Sequence, residues 1–444
     1  MNPTYDDVER ALLSRWPESR LEPSLDRIGA LCRLLGDPQT SYPVIQLTGT
    51  NGKTTTSRMI DELIRALGLR TGRFTSPHLE SMTERISLDG QPLSQELFVD
   101  AFADVAAYAQ VVDDTATHPL SYFETLVAMA YAAFADSPVD AAIIEVGMGG
   151  AWDATNVANA QVAVLTPIAV DHASYLGDRP EDIAVEKAGI IKPGTHAVIA
   201  QQSEAVMDVL MHRANEVGAS VSREGVDFQL LSRVTAVGGQ MISLQGLSAR
   251  YDEVFLPLHG AHQAHNAAYA LAAVEAFIGR TEIDGDLVRE AFSNVTAPGR
   301  LELVRHSPSV VLDAAHNPHG AAAAMEAMQE AFSFSPLIGV VSIMADKDTE
   351  EMLRIFEPVM AQIVCTQNSS DRSLPATELA EMAGDIFGAD RVHTAARLDD
   401  ALEKAMELAE VTEGHEEAIG GGGVLVTGSV VTVGEARVLL GGAS

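Results

Sequence analysis

The segment of residues 48–56, TGTNGKTTT, combines the residue types that bind nucleotide phosphates. In such loops backbone N–H groups converge on an anion at a helix N-terminus, a lysine reaches the β- and γ-phosphates, and a hydroxyl holds Mg²⁺. Lys53 and Thr54 are the candidates for the two side-chain roles. The spacing departs from the usual motif, because Leu47 occupies the position of its first glycine. The remaining pattern, G-x-x-G-K-T, still predicts a site for nucleotide phosphates.

The elements on either side of this loop support that prediction. Residues 42–47 form a largely apolar run that predicts a buried strand, and Met59, Ile60 and Leu63 follow the loop with helical spacing. For the string alone, a chance match or a plain strand-to-helix turn would be the alternative. A strand before the loop and a helix after it favour the phosphate site.

Three further predicted strands end in polar side chains, Ser76, Glu145 and His172. Open α/β sheets bind ligands at the carboxyl ends of their strands, so these residues are candidates for one site. A carboxylate at the end of a buried strand needs a partner. Mg²⁺ is the expected partner of Glu145, and a salt bridge to an arginine is the alternative. A lone histidine is more often structural, but the shared sheet edge favours a functional role for His172.

Lys187 lies in an otherwise apolar helix predicted for residues 182–191. Burial in that helix would lower the pKa of the amine and make it reactive. A salt bridge with Asp182 or Glu186 is the alternative, and periodicity does not choose between the two.

Two other polar residues lie in or beside apolar helical patterns. Glu124 interrupts the pattern of residues 122–133, and it is either functional or a surface carboxylate at the edge of the apolar stripe. Asn266 precedes the helix predicted for residues 267–278. At a helix start an asparagine can bond to an adenine edge or cap the helix.

Composition and charge limit the classes of protein to consider. The chain has 444 residues with 47% apolar content, which suggests two or more domains. Its 62 acidic and 29 basic residues give a net charge of −33, which disfavours nucleic acid and anionic membranes as partners. Cys32 and Cys365 offer neither a disulfide framework nor a metal spacing, and no apolar run is long enough to span a bilayer. We therefore expect a cytoplasmic protein.

The sequence predicts a domain boundary near Pro298. Beyond it short strands and helices alternate again, and polar residues such as Asp313, His316 and Lys347 follow the strands. We expect residues 1–297 to form the N-terminal and central ATP-binding domain. Residues 298–444 are expected to form a smaller α/β domain that has no phosphate loop of its own.

Taken in order, the motifs resemble those of one enzyme family. The strings are TGTNGKT, TSPHL with ER following, YFET, EVGMGG, WDATN, DH, EKAGIIKPG, HQ-HNA, PGRLE, DAAHNPHG, MADKD and TGS. They resemble the folylpolyglutamate synthase and dihydrofolate synthase family of the Mur ligase superfamily, over residues 25–437. The resemblance implies an α/β fold with a P-loop-containing, Mur-ligase-like ATPase domain built on a mostly parallel sheet, plus a smaller Rossmann-like C-terminal domain.

The resemblance also implies a reaction. ATP would phosphorylate the carboxylate of dihydropteroate or a (tetrahydro)folate, and L-glutamate would attack the acyl phosphate to give dihydrofolate or folylpolyglutamates, ADP and phosphate. ATP and Mg²⁺ would be the cofactors, all partners would be small molecules, and the enzyme is expected to be a monomer. Positioning and charge neutralisation would be the protein's main contribution.

Site residues are carried over from the matching motifs. Mg²⁺ would be held by Thr54, Ser76, Glu145, His172 and a carbamylated Lys187. ATP would be bound by Asn51, Gly52, Lys53, Thr54, Asn266, Arg300 and Asp313, with Lys53, Lys187 and His316 as catalytic residues. The pterin substrate would contact Leu25, Asp26, Arg27, His78, Tyr122, Phe123, Glu124, Trp152 and Asp153.

This chain departs from the family pattern at two positions. The family commonly has glycine where Thr54 follows the loop lysine, and arginine where Ala151 precedes Trp152. Thr54 resembles the Mur enzymes, whereas Ala151 removes whatever contact that arginine makes.

Two other functions remain open. A peptidoglycan Mur ligase would share the fold and the acyl-phosphate chemistry, but it typically places a nucleotide-sugar-binding domain before the loop, where this chain has too few residues. A nucleotide switch would not need Asp313 and His316 in a second domain, and its ATPase would be indifferent to glutamate. The sequence does not decide whether the enzyme makes dihydrofolate, extends the glutamate tail or does both. It also leaves open the tail length and the one-carbon form of the folate.

Overall fold

The computed structural model describes residues 3–17, 23–171, 173–410 and 421–441. The chain divides into two compact units. The first unit comprises Met1–Arg233, Ile242–Leu256 and Ala264–Val295, and the second comprises Val234–Met241, Pro257–Gln263 and Thr296–Ser444. The domain limits of 1–297 and 298–444 stay a prediction.

Helices and strands alternate along the part of the chain before residue 296. The helices are α1 Tyr5–Leu13, α2 Asp26–Leu34, α3 Lys53–Ala66, α4 Gln95–Thr115, α5 Tyr122–Asp136, α6 Ala173–Leu176, α7 Pro180–Lys187, α8 Glu204–Val217, α9 Ala261–Phe277 and α10 Gly285–Ser293. The strands are β1 Val44–Thr48, β2 Thr71–Phe74, β3 Ile86–Leu88, β4 Gln91–Pro92, β5 Ala141–Glu145, β6 Val162–Leu165, β7 His196–Ile199, β8 Ser220–Arg223, β9 Gln229–Ala236, β10 Gly239–Gln245 and β11 Arg250–Leu256.

The sheet that carries the phosphate loop is mostly parallel. Within the described residues it has eight strands in the order β4-β3-β2-β5-β1-β6-β7-β8, and its antiparallel pairs are β2–β3 and β3–β4. All five residues of β1 and of β5 are buried, as expected for parallel strands covered on both faces. The register pairs Leu47 with Glu145. The carboxylate of Glu145 therefore lies at the sheet edge where the phosphate loop begins.

The same alternation returns in the second unit. Its elements are β12 Glu302–His306, β13 Ser309–Leu312, α11 Pro318–Ala331, β14 Leu337–Val341, α12 Thr349–Phe356, β15 Gln362–Cys365, α13 Ala376–Phe387, β16 Val392–Thr394, α14 Leu398–Glu410, β17 Gly423–Thr427 and α15 Val430–Leu439. The described strands form one sheet in the order β12-β13-β17-β14-β15-β16, in which β12 is antiparallel. The α/β prediction is confirmed, although the sequence pattern missed the short strands β12 and β16.

Two predicted helix limits were wrong in ways that affect candidate residues. The helix expected for residues 182–191 is α-helical only to Lys187, and a 3-10 turn, Ala188–Ile190, follows it. The helix expected from residue 267 already begins at Ala261, so Asn266 lies in its second turn and does not cap it. Among the described residues, no helix is both long and apolar enough to cross a membrane.

Candidate active site

The loop between β1 and α3 has the backbone conformation of an anion-binding turn. Gly49 and Gly52 have φ angles of +147° and +87°, which favour glycine. A Cβ atom on Gly52 would lie 2.6 Å from Oδ1 of Asn266, so the amide of Asn266 lies directly against the loop. The ammonium group of Lys53 donates to the carbonyl oxygens of Gly49, at 3.0 Å, and Thr50, at 3.1 Å. The loop thus combines a helix N-terminus with a lysine beside it.

A hydrogen bond joins the start of α3 to the end of β5. The Thr54 hydroxyl donates to Oε1 of Glu145 at 2.8 Å. Glu145 is buried, with only 1% of its surface exposed. A hydroxyl and a carboxylate in contact are hard oxygen donors of the kind that Mg²⁺ prefers.

Lys187 joins α7 to the phosphate loop. Its buried ammonium group donates to the carbonyl oxygen of Gly49 at 2.9 Å, so Lys187 and Lys53 share this acceptor. Burial, followed by the nearby charge of Lys53, lowers the pKa of Lys187 from its ordinary 10.5 to about 7. Within the described residues no ion pair joins Lys187 to Asp182 or Glu186, so the salt-bridge alternative was wrong.

The two other predicted metal positions are Ser76 and His172. Ser76 follows β2 and precedes a cis peptide bond to Pro77. His172 lies outside the described residues, and Asp171 is the last described residue before it. In the part of the chain that is described, no three His, Cys, Asp or Glu side chains form a group that could hold a metal ion.

A partly buried ion pair connects α2 to the start of α5. Nε of Arg27 donates to Oε1 of Glu124 at 3.1 Å, and the two side chains are 14% and 6% exposed. Glu124 also accepts from the backbone N–H of Ser121, and the Ser121 hydroxyl accepts from the N–H of Glu124, which completes a capping box. The surface alternative for Glu124 was therefore wrong. Leu25 and Asp26 lie beside this pair at the start of α2.

His78 and Tyr122 are brought together by Arg85. Nε of Arg85 donates to Nδ1 of His78 at 3.0 Å, and the guanidinium lies 5.0 Å from the centre of the Tyr122 ring. Burial, and secondarily the charge of Arg85, lowers the pKa of His78 to about 4. His78 is therefore neutral near pH 7 and accepts a hydrogen bond at Nδ1.

The loop after β5, residues 147–153, carries the remaining candidates, and we call it the acceptor loop. A Cβ on Gly147 would lie 2.6 Å from the ring of Phe123, which itself packs against Phe74 at 5.8 Å between ring centres. Trp152 is half-buried. Asp153 is buried and accepts hydrogen bonds from the backbone N–H groups of Met148 and Thr155, both at 2.9 Å. In this structure Asp153 fixes the shape of its own loop.

Three predicted residues cluster in the second unit. Asp313 is buried and accepts from the backbone N–H of Leu301 at 3.0 Å and of Ala315 at 2.9 Å. Burial raises its pKa, and the nearby charge of Arg300 opposes that rise. His316 follows Asp313 by three residues, and its Nδ1 lies 2.9 Å from the carbonyl oxygen of Ala314.

Comparison with known proteins shows which family this chain resembles in both units. The chain matches the Mur ligase middle domain over residues 47–274 and the glutamate ligase domain of Mur ligases over residues 299–430. It is 50% identical to the dihydrofolate synthase/folylpolyglutamate synthase of Mycobacterium tuberculosis, over 98% of this chain and 93% of the relative. The chain belongs to the folylpolyglutamate synthase/dihydrofolate synthase family of the Mur ligase superfamily. It is thus an ATP-dependent ligase.

Solved structures of this family have the same fold. A folylpolyglutamate synthase of M. tuberculosis complexed with ADP matches with a TM-score of 0.95 at 50% identity, covering 98% of both chains. The Escherichia coli enzyme in complex with DHPP and ADP matches with a TM-score of 0.85 at 28% identity, covering 99% of this chain and 98% of that one. The E. coli dihydrofolate synthase/folylpolyglutamate synthase sequence is 32% identical over 81% of each chain.

Motif matching to the family assigned no site role to two residues that organise the candidate site. Arg85 is 4% exposed and links His78 to Tyr122, although the sequence analysis gave it no role. Glu186 was considered only as a partner for Lys187, yet its carboxylate accepts from the backbone N–H of Trp152 at 3.0 Å. The available signal for Arg85 was its place in the string ER after TSPHL, and for Glu186 it was a charge directly after the apolar residues 183–185.

Proposed function

We propose that this protein ligates L-glutamate to the carboxylate of dihydropteroate and of reduced folates, with ATP as the phosphoryl donor. The observation that carries the proposal is the arrangement around Gly49. Two lysine ammonium groups converge on its carbonyl, and the Thr54–Glu145 pair joins the adjacent strand end to α3. Cations, a hydroxyl and a carboxylate at one helix start suit the transfer of a phosphoryl group from ATP.

The proposed reaction has two steps. The acceptor carboxylate attacks the γ-phosphorus of ATP, so the bond to the β–γ bridging oxygen breaks and ADP leaves. The amine of glutamate then attacks the acyl phosphate, forms an amide and releases phosphate. Lys53 is proposed to neutralise the charge on the β- and γ-phosphates, for which its ammonium would exchange its present carbonyl partners for phosphate oxygens.

The residues present fit a magnesium ion. Thr54 and Glu145 are the proposed protein ligands, with Ser76 and His172 as the further positions implied by the family motifs. A small set of hard donors suits Mg²⁺, which usually takes one or two carboxylates together with waters and phosphate oxygens. When bound, the ion would neutralise the charge on the phosphates.

We also propose that Lys187 reacts with CO₂ to form a carbamate that serves the metal site. Only a neutral amine attacks CO₂, and burial keeps a large fraction of this amine neutral near pH 7. Its hydrogen bond to Gly49 directs the group towards the phosphate loop.

The acceptor is proposed to bind between the aromatic and polar side chains that surround the acceptor loop. Tyr122, Phe123 and Trp152 offer ring surfaces for a pterin. The Arg27–Glu124 pair and His78 offer polar edges, and Leu25, Asp26 and Asp153 complete the proposed set.

The remaining nucleotide contacts are proposed from two sets of residues. Asn266, which lies against Gly52 in the phosphate loop, is assigned to adenine. In the second unit Arg300 and Asp313 are assigned to phosphate and ribose, and His316 to the transferred phosphoryl group.

Release of ADP with Mg²⁺-ATP and L-glutamate tests the proposal directly. We expect turnover with both 7,8-dihydropteroate and a reduced folate monoglutamate, as for a bifunctional synthase. Turnover with only one acceptor would assign a single activity. Absence of glutamate-dependent turnover with either would reject the folate assignment, and a peptidoglycan-type acceptor would be the next to test. ADP release that is indifferent to glutamate would indicate a nucleotide switch.

A further inference from the structure

Two consecutive side chains at the end of α7 contact two different loops. Nζ of Lys187 donates to the carbonyl oxygen of Gly49 in the phosphate loop at 2.9 Å. Oε1 of Glu186 accepts from the backbone N–H of Trp152 in the acceptor loop at 3.0 Å. The C-terminal turn of one helix therefore joins the two loops.

The backbone at the end of α7 also contacts the acceptor loop. The N–H of Ala151 donates to the carbonyl oxygen of Glu186 at 2.9 Å. A Cβ on Gly150 would lie 2.8 Å from that carbonyl oxygen, and a Cβ on Gly149 would lie 2.9 Å from Cγ of Glu186. The loop can lie this close to the helix only because both positions are glycine. The main-chain contact would survive replacement of the Glu186 side chain, whereas the bond to Trp152 would not.

Through these contacts the end of α7 is bonded to the phosphate loop and to the acceptor loop. A phosphate oxygen that replaces the Gly49 carbonyl as the partner of Lys53 alters the group that Lys187 also contacts, and the end of α7 holds Trp152 through Glu186. We propose that Glu186 is a positioning residue that couples occupancy of the nucleotide loop to the conformation of the acceptor loop. This role rests on the proposed function only in that the acceptor binds at Trp152. By linkage the coupling is reciprocal, so the acceptor strengthens nucleotide binding by the same factor.

The chain supplies its own optical probe of the acceptor loop. It contains two tryptophans, Trp16 and Trp152, so Trp16→Phe leaves Trp152 as the only indole. In that background we expect a non-hydrolysable ATP analogue with Mg²⁺ to shift Trp152 emission in the absence of any acceptor. Glu186→Ala should remove most of that shift. Glu186→Gln should retain it, because a glutamine Oε1 still accepts from the Trp152 N–H.

Calorimetry and kinetics measure the coupling itself. The ratio of analogue dissociation constants without and with pteroate acceptor should fall by about 5-fold or more in Glu186→Ala. In turnover, the acceptor KM should rise about 10-fold while kcat changes far less, because the lost contact positions the loop in the ground state as well. Glu181→Ala is the matched control, since that carboxylate lies on the same helix and, among the described residues, its one ion pair is with the exposed Arg179.

Several outcomes would overturn the proposal. Glu186→Ala with an unchanged Trp152 response and an unchanged coupling ratio would do so. A lower thermal midpoint with no selective change in acceptor KM would show a merely structural role. If Glu186→Ala does not fold, Glu186→Asp takes its place, because its side chain is too short to reach the Trp152 N–H. The Trp152 emission shift and the coupling ratio are expected to fall in the same way. A failure of the proposed function would be seen in a different measurement, the absence of glutamate-dependent ADP release by the parent enzyme. The Trp152 response does not depend on that function, because it is measured without acceptor.

Discussion

The hydroxyl of Thr54 donates a 2.8 Å hydrogen bond to Oε1 of Glu145. The two residues are separated by 91 positions in sequence, and the parallel pairing of β1 with β5 brings them together. Thr54 lies in the first turn of α3, so its hydroxyl adds an oxygen beside Glu145 at the proposed metal position.

That contact predicts a specific effect on the magnesium requirement. Thr54→Val removes the hydroxyl but keeps the shape, so we expect the Mg²⁺ concentration for half-maximal activity to rise about 10-fold. Thr54→Ser keeps the hydroxyl and is expected to behave like the parent. If the two variants depended equally on Mg²⁺ concentration, Thr54 would not be a ligand of the metal ion. Glu145→Ala should abolish ligation while the fold survives.

The position of Lys53 predicts loss of chemistry without loss of fold. Lys53→Ala should lower kcat by about 100-fold or more, because a cation beside the transferred phosphoryl group is lost. ADP release measures the rate, and circular dichroism and the thermal midpoint measure the fold. Lys404→Ala, at a half-exposed lysine that pairs with Glu407, is the control. Near-normal turnover in Lys53→Ala would contradict the phosphate-loop assignment.

The lowered pKa of Lys187 predicts both a pH effect and a CO₂ effect. Between about pH 7 and 10.5 the Lys187 amine is protonated in the unfolded chain, where its pKa is near 10.5, but not in the folded protein. The contribution of Lys187 to the free energy of unfolding therefore rises with pH over this range. In CO₂-depleted buffer the free energy of unfolding of the parent relative to Lys187→Met should therefore increase by about 2 kcal/mol from pH 7 to pH 9. A flat difference would show that the amine is not buried and neutral.

The same residue is proposed to need CO₂ for activity. Bicarbonate should restore turnover to CO₂-depleted enzyme, and short carboxylic acids should partly rescue Lys187→Ala. A mass increase corresponding to one carbamate would identify the modification. Normal activity of Lys187→Ala in depleted buffer would end the carbamate proposal.

The Arg27–Glu124 pair predicts a coupled loss of stability. Both side chains are less than 15% exposed, so Glu124→Ala leaves a guanidinium without its carboxylate and should cost about 3 kcal/mol of unfolding free energy. The double variant Arg27→Met with Glu124→Ala should lose less unfolding free energy than the sum of the losses in the two single variants. Urea unfolding measures all three. The exposed pair Arg250–Asp252 is the control and should show no measurable coupling. Strict additivity at Arg27 and Glu124 would contradict the ion pair.

The sequence was sufficient for the fold class because the signals for strands, helices and the phosphate loop are local. The phosphate loop depends on glycines at Gly49 and Gly52, and their positive φ angles are encoded in the chain itself. The alternation of buried strands and helices is likewise a property of short segments, and it predicted two α/β regions. Strands of three residues such as β16 carry too little periodicity to be recognised, and their sheet partners define them.

What the sequence by itself determined about this protein is therefore the fold class, the family and the set of polar residues at strand ends. Tertiary structure decided which of those residues touch. It showed that Glu124, a possible surface carboxylate in the sequence, is a buried partner of Arg27. It also showed that Lys187 bonds to the carbonyl of Gly49 and not to an acidic residue on its own helix. It also assigned Glu186 to Trp152. Periodicity specifies the face on which a side chain lies, whereas pairing across 97 or 138 residues depends on how strands and helices pack, which no local pattern contains.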